Sequence, residues 1–350
     1  MMSKVRVLGV LKPYDILIGK GILKTLPQKL SEITDAKKAV IITDDNVNKF
    51  YGDYVLKLLS DNGYETYKYV FKNGEQNKTL GTVSDILEFM AEKSVTRSDV
   101  IVAIGGGIVG DVSGFCAASY LRGIDFVQVP TTFLASIDSS VGGKTGVNLK
   151  SGKNLAGAFY QPRLVLCDTE VFNTLPEENF KEGIAEAIKY GVICDNELFN
   201  KMSGNIKEEL IDIITTCVSI KSDIVSKDEF DKGERQLLNF GHTIGHAIEK
   251  CSNFSITHGI AVGIGMAMIA KASDELGYSK EKCYTKIKDT LIANGLLYKC
   301  DFSDDELYSV MTRDKKRAGD YINLVVPEQI GKCVLKKISV SELKDVLNNA

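Results

Sequence analysis

The chain has no CxxC pair, no stripe of basic residues, no internal repeat and no apolar run of membrane-spanning length. Each absence closes a class of function. Its eight cysteines are scattered from Cys116 to Cys333, the pattern of reduced, mostly buried thiols and not of a disulfide framework or a cysteine zinc site. Acids and bases are mixed along the 350 residues with a net charge of −3, which argues against nucleic acid as a partner. The start, MMSKVRVLGVLKPYDI, lacks the apolar core of a signal peptide. The longest apolar stretch, residues 260–270, is roughly half of a membrane span and reads as buried helix. With 44% hydrophobic residues, the expectation is a soluble cytoplasmic protein, off the membrane, with room for two domains and sizeable cores.

Histidine is scarce too, and its placement is the chain's most informative feature. All three, His242, His246 and His258, fall in one 17-residue window within NFGHTIGHAIEKCSNFSITHG, with a glycine beside each. His242 and His246 are four residues apart and share a face if the segment is helical. Imidazole is the commonest metal ligand, so the window reads as a metal or acid/base site. The plainer alternative is three polar positions on a surface helix.

The first half alternates strand-like with helix-like segments. AVIITDDN (39–46), YETYKYVF (64–71), DVIVAIGGG (99–107) and DFVQVPTT (125–132) read as strands. A helical pattern runs on from residue 46 to Leu59, and others cover 80–93 and VSGFCAASYL. Such alternation predicts an α/β domain with a parallel sheet. Ligands then bind off the carboxyl ends of strands, near Asp44, Gly105 and Thr131. Beyond residue 175, helical patterns dominate at 177–193, 206–226, 233–250 and 258–276, followed by more helix across 277–312. A late hairpin (YINLVVPEQIGKCVLKKI) and a capped terminal helix (SELKDVL) close the chain. We therefore expect a dinucleotide-binding α/β domain over 1–175 and a mainly helical domain over 176–350, with a cleft between them for a small molecule.

GGGIVG (105–110) satisfies GxGxxG through Gly105, Gly107 and Gly110. Following a strand and opening a helix, it would present backbone N–H groups and a helix N-terminus to a pyrophosphate; glycines kept only for packing are the alternative. The ribose acid is expected at Asp44, because Asp125 starts the next strand instead of ending it. VGGKTG (141–146) resembles a phosphate loop, but the glycine required six residues before Lys144 is Asp138, so ATP use is not expected. Lys144 and Lys153 meet a phosphate as point charges or are solvated loop lysines. Glu186 and Lys189, three apart in GIAEAIKYG, form an ion pair or, if that helix faces the histidines, part of a site. Lys221, Arg235 and Asn239 precede the first histidine, and RDKKR (313–317) adds a late basic cluster. So many cations suit a small anionic substrate.

Taken together and in order, these motifs closely resemble the 3-dehydroquinate synthase family over nearly the whole chain. The likeness is strongest in GGGIVGDVSGFCAASYLRGIDFVQVPTTFLASIDSSVGGKTGVNLKSGKNLAGAFYQP, then in GIAEAIKYG, LLNFGHTIGHAIE, HGIAVGIGM and RDKK. The resemblance implies a cytoplasmic homodimer that takes a seven-carbon sugar acid phosphate. NAD oxidises the substrate transiently, phosphate is eliminated, the hydride returns, and an internal aldol step closes the carbocycle. The metal, typically zinc with cobalt possible, carries over to Glu186, His242 and His258, which makes His246 a substrate contact instead of a ligand. NAD contacts carry over to Asp44 and Asn46; to the turn Asn73, Gly74, Glu75, Gln76, Asn77 and Lys78; and to Gly106, Gly107, Ile108, Val109, Gly110 and Asp111. Thr131, Thr132, Lys144, Lys153, and the run Val171, Phe172, Asn173 and Thr174 complete them. Substrate contacts carry over to Asp138, Lys144, Lys153, Asn154, Lys189, Lys221, Arg235, Asn239 and His246, with one of Lys315 and Lys316. The resemblance makes Arg122 a contribution to the neighbouring subunit's phosphate site. One departure is Asp231, where the family usually has glutamate. Sister cyclases acting on substrates without the carboxylate, a metal-dependent polyol dehydrogenase, and a catalytically dead binding or regulatory relative are the alternatives; Lys221, Arg235 and the RDKK lysines favour an acid substrate, and the complete Glu186, His242 and His258 set argues against a dead relative.

Overall fold

A computed structural model describes residues 2–231, 233–313 and 321–350. The chain divides into two compact units, the first Met1–Pro176 with Lys221–Phe230 and the second Glu177–Ile220 with Asp231–Ala350. The sequence reading placed the segment 221–230 with the second half; here it belongs to the first, where Gly9 packs so closely on it that an added Cβ would lie 2.5 Å from the Ser226 carbonyl.

The first unit is built on a seven-stranded sheet. Its strands are β1 (Met2–Val7), β2 (Tyr14–Gly19), β3 (Lys38–Asp44), β4 (Glu65–Phe71), β5 (Val100–Gly105), β6 (Asp125–Pro130) and, after a separate hairpin, β9 (Leu164–Asp168). That hairpin pairs β7 (Lys144–Leu149) with β8 (Gly152–Phe159). The spatial order is β1-β2-β9-β6-β5-β3-β4, parallel throughout except for the antiparallel edge pair β1–β2. All six residues of β5 and all five of β9 are buried, as strands covered on both faces must be. Helices α1 (Leu80–Glu92) and α2 (Gly107–Ser119) supply Val83, Ile86, Met90, Val109, Val112 and Cys116 to a core shared with Ile42, Ile101 and Phe126.

The parallel α/β expectation holds. What it missed is instructive. β1, β2, β7, β8 and β9 were not read as strands: after left-handed turns at Gly142 and Gly143, Lys144 of VGGKTG opens β7.

The second unit is mainly helical: α3 (Glu177–Cys194), the start of α4 (Leu210–Lys227), α5 (His242–Cys251), α6 (His258–Glu275), α7 (Tyr284–Ala293), α8 (Asp304–Arg313) and α9 (Glu342–Asn348). The late hairpin is β10 (Tyr321–Gln329) with β11 (Lys332–Ser339). The terminal helix is capped, but by Ser339 and not Ser341: Ser339 Oγ accepts from the Glu342 N–H and Glu342 Oε2 from the Ser339 N–H, a capping box. The continuous helix expected over 233–250 is also corrected. A 3-10 turn, Glu234–Asn239, precedes Gly241 at φ 80°, and α5 restarts at His242.

The break has a packing cause. An added Cβ at Gly241 would lie 2.7 Å from the Val262 carbonyl, one at Gly245 3.0 Å from the Ala261 carbonyl, and one at Gly265 2.1 Å from the Gly241 carbonyl. Helices α5 and α6 therefore touch backbone to backbone. Gly265→Ala should cost about 1–3 kcal/mol, the usual range for overpacking, read as a lowered denaturant midpoint; an unchanged midpoint would show that the helices separate freely.

Candidate metal centre

Glu186 sits in mid-α3 and is fully buried, where an uncompensated carboxylate is costly. Lys189, one turn on and 1% exposed, pairs with its Oε2. Oε1 lies 3.5 Å from Nε2 of His242 and 3.5 Å from Nε2 of His258. Neither oxygen has a hydrogen-bond partner of good geometry among the described residues. The spacing is too long for a strong hydrogen bond, yet close to the roughly 3.4 Å that separates ligands on a tetrahedral zinc with bonds of about 2.0–2.1 Å. One carboxylate oxygen and two imidazole nitrogens, all within 4.8 Å of one another, fit a divalent ion.

Both rings are aimed by what their other nitrogen touches. Nδ1 of His242 donates to the Phe240 carbonyl at 3.1 Å, which leaves the Nε2 lone pair facing Glu186. Nδ1 of His258 lies 3.4 Å from Glu249 Oε2, the carboxylate–histidine arrangement that commonly stands behind a metal ligand. Each histidine is the first residue of its helix. Glycine brings them in: a Cβ on Gly259 would lie 2.5 Å from the Glu182 Cα, so α6 starts hard against α3.

Electrostatically the two imidazoles are opposites. Burial, helped by the charge on Lys189, pushes His242 down to about 3. Burial acts the same way on His258, but the Glu186 and Glu249 carboxylates outweigh it and raise it to about 10. Burial opposes ionisation of Glu186, and Lys189, His242 and His258 together hold it well below the usual carboxylate range.

His246, one turn beyond His242, is exposed and does not enter the Glu186 set; its ring centroid is 5.5 Å from that of His242 and 5.9 Å from that of His258. Together with Glu249 and His258 it forms a second group of possible ligands. Arg235 is buried at 2% exposure and Asn239 is exposed. Asp231 takes a left-handed backbone at φ 59°, which aspartate tolerates. Lys315 and Lys316 lie outside the described residues. Sequence reasoning missed Glu249, although HAIE lay inside a quoted motif, and could not have seen the Phe240 carbonyl.

In the first unit, Asp44, Gly105 and Thr131 do lie at the carboxyl ends of the neighbouring strands β3, β5 and β6. Gly106 precedes the first turn of α2. A Cβ on Gly106 would meet Thr132 at 3.1 Å and one on Gly107 Ser139 at 3.0 Å, so the turn is kept free of side chains. Asp44 Oδ1 accepts from the Asn46 and Val47 N–H groups at 2.9 Å each, and burial raises its pKa. Asn73, Gly74, Gln76 and Asn77 form a turn held by Asn73 bonds to Asp45 and by an Asn77 bond to the Asn73 carbonyl. Val109, Val171 and Phe172 are buried, and Ile108 packs against the core cluster that holds Val109, so contacts there fall to backbone, as at Gly110. Thr174 bonds Tyr51, with Asn173 exposed beside it. Lys221 is buried and pairs with the Asp138 carbonyl and carboxylate. Lys144, Lys153 and Asn154 are exposed on the β7–β8 hairpin. Arg122, also exposed, follows Leu121 and precedes Gly123 in a run of three positive φ values.

Residues 68–182 match the family model for the 3-dehydroquinate synthase N-terminal region, and residues 183–317 that for the C-terminal region. A 3-dehydroquinate synthase from Clostridium botulinum is 46% identical over 340 residues, 95% of this chain and 97% of that protein. The chain belongs to the 3-dehydroquinate synthase family. Among solved structures, 2-deoxy-scyllo-inosose synthase, complexed with carbaglucose-6-phosphate, NAD+ and Co2+, superposes with a TM-score of 0.89 at 28% identity, covering 99% of both chains. The 2-epi-5-epi-valiolone synthase of Streptomyces hygroscopicus, with NAD+ and Zn2+ bound, reaches a TM-score of 0.86 at 24% identity over 96% of both chains, a likeness of fold. The synthase fold thus comes with the helical unit whose glycine contacts bring Glu186, His242 and His258 together.

Two outcomes follow. Glu249→Ala should weaken zinc binding about 10- to 100-fold, measured against a chelating indicator; unchanged affinity would make the His258–Glu249 contact incidental. Because His258, raised to about 10, holds its proton at neutral pH in the metal-free protein, an incoming ion must displace that proton. Zinc affinity should therefore rise with pH between about 6 and 9, and a flat profile would show the ring already neutral.

Proposed function

We propose that the chain converts 3-deoxy-D-arabino-heptulosonate 7-phosphate to 3-dehydroquinate and phosphate, as an NAD- and divalent-metal-dependent lyase of chorismate and aromatic amino-acid biosynthesis. The observation that carries the reading is the meeting of Glu186 Oε1 with two imidazole Nε2 atoms in a chain that matches the family along nearly its whole length. Two nitrogens and a carboxylate oxygen suit zinc and leave positions open, the pattern of a catalytic site. Cobalt, named for 2-deoxy-scyllo-inosose synthase, is an alternative.

When bound, the ion supplies polarisation of a substrate hydroxyl and NAD supplies a reversible hydride acceptor. The chain's own residues bind, orient and neutralise. N–H groups of Gly106 and Gly107, at the start of α2, hold the pyrophosphate. Both bonds that Asp44 makes as a helix cap fall on Oδ1, so Oδ2 takes a ribose hydroxyl. Lys189 and Arg235, both buried cations, suit the carboxylate of a sugar acid and favour it over substrates lacking one. Lys144, Asn239, His246 and Arg122 hold the departing phosphate, whose own oxygen is basic enough to accept the neighbouring C–H proton. Exposed and beside the Glu186 set, the His246 ring is suited to carry that proton onward. Lys221 with Asp138, Lys153 with Asn154, and one of Lys315 and Lys316 complete the substrate contacts. The protein acts as a cytoplasmic homodimer, with Arg122 serving the neighbouring subunit. No helix among the described residues is long and apolar enough to cross a membrane.

The test gives purified, zinc-loaded protein the heptulosonate phosphate and NAD, following phosphate and NADH together. Phosphate release with a carbocyclic acid and no lasting NADH is expected. Lasting NADH without phosphate would make the chain a dehydrogenase, and silence in both signals would remove this substrate.

A further inference from the structure

Asn148 is none of the contacts assigned above, yet its hydrogen bonds tie several of them together. Its backbone N–H donates to the Lys78 carbonyl at 2.9 Å. Its Nδ2 donates to Glu75 Oε1 at 2.7 Å and reaches the Glu75 carbonyl at 3.4 Å. Its Oδ1 accepts from the Asn154 N–H at 2.8 Å. Lys78 closes the circuit, with Nζ donating to Asn154 Oδ1 and to Asp111 Oδ2 at 2.6 Å each. Three separate pieces of chain, the 75–78 turn, the β7–β8 hairpin and helix α2, are thus joined through one asparagine and one lysine.

The chemistry leaves little freedom in how this circuit is wired. A carboxylate can only accept and a backbone N–H can only donate, so the amide must turn Nδ2 to Glu75 and Oδ1 to Asn154. Asn154 has a left-handed backbone, φ 55°, a conformation asparagine tolerates, and the bond to Asn148 fixes its N–H. Lys78 is 5% exposed, so its charge needs both acceptors. Burial raises the pKa of Asp111 and Lys78 counters the effect.

We propose that Asn148 is the positioning residue of the cofactor end of the site. It sets Glu75, Lys78 and Asn154 in one arrangement before a dinucleotide arrives, and acts through them without touching the ligand. The inference rests on the NAD reading given above. Preorganisation of this kind lowers the ordering cost of binding.

Two substitutions separate this role from a simple strut. Asn148→Ala removes all three side-chain bonds. Asn148→Asp keeps the size and the acceptor for Asn154, but turns an acceptor and a negative charge towards the Glu75 carboxylate. NAD dissociation constants are measured by calorimetry on the zinc-loaded full chain, with zinc affinity and thermal midpoint followed in parallel. We expect Asn148→Ala to weaken NAD about tenfold and Asn148→Asp by more, up to about a hundredfold, since a bond to a charged group is lost in one and a repulsion added in the other. Zinc affinity should not move, because Glu186, His242 and His258 all belong to the other unit. NAD affinity within about twofold of wild type in both variants, or equal losses in the two, would overturn the donor role. If the wild-type chain itself fails to bind NAD, the cofactor reading falls and takes this inference with it.

Discussion

The second unit is organised around one buried negative charge. Glu186 is in mid-helix with no water to solvate it, and a carboxylate in that position persists only if cations or polarised groups surround it. Lys189 comes from the same helix and needs no further folding. The imidazoles of His242 and His258 come from two other helices, so α3, α5 and α6 must all converge on the carboxylate. Side chains of ordinary size would hold those backbones apart. The glycines at 241, 245, 259 and 265 remove that obstacle, each standing where an added Cβ would meet a neighbouring backbone atom at 3.0 Å or less. A glycine beside each histidine is therefore the steric condition for the ligand set, and the left-handed turn at Gly241 is what lets His242 begin a helix.

The first unit obeys a different constraint, imposed by the parallel sheet. Strands running the same way end on the same edge, so whatever binds there is met by turns and not by strand faces. Those turns keep small or capping residues: Gly106 and Gly107 after β5, Asp44 after β3, Thr132 after β6, whose Oγ1 accepts from the Ala135 N–H. The hairpin β7–β8 is outside the sheet; Val147 anchors it in the core, and the bonds of Asn148 tie it to the 75–78 turn. Precision at this edge comes from side-chain hydrogen bonds together with a single backbone bridge, the Asn148 N–H to the Lys78 carbonyl.

Most of the sheet was legible because buried parallel strands are near-continuous apolar runs, as in VIVAIG and DFVQVP. β1 and β2 were not, since SKVRV and YDILIG begin the chain as a small antiparallel pair without the strand–helix rhythm. β7 and β8 were hidden by glycine and lysine, which read as loop. At the metal site the residue types were legible and their arrangement was not. Helical spacing pairs His242 with His246, but the carboxylate that completes the set is 56 residues earlier in sequence, Glu186 against His242. Only the family resemblance supplied that long-range contact, because no local period carries it. Glu249 and Asn148 went unnoticed for a related reason: each acts through a second residue, and partnership of that kind leaves no mark on composition or spacing.

The charge balance around Glu186 links the two halves of the functional reading. Without an ion, the carboxylates of Glu186 and Glu249 face the ammonium of Lys189 and a protonated His258, four charges that cancel, with the Glu182 carboxyl, its pKa raised by burial, beside them. An ion of charge two that displaces the His258 proton would raise the net charge of this buried set by one, where charge is weakly screened. Arg235 is a further buried cation in the same unit. A neutral polyol gains little from such a surplus. An anionic sugar acid neutralises it, and gains more as water leaves, so the same electrostatics that make the centre attract a metal also favour an acid substrate over an uncharged one.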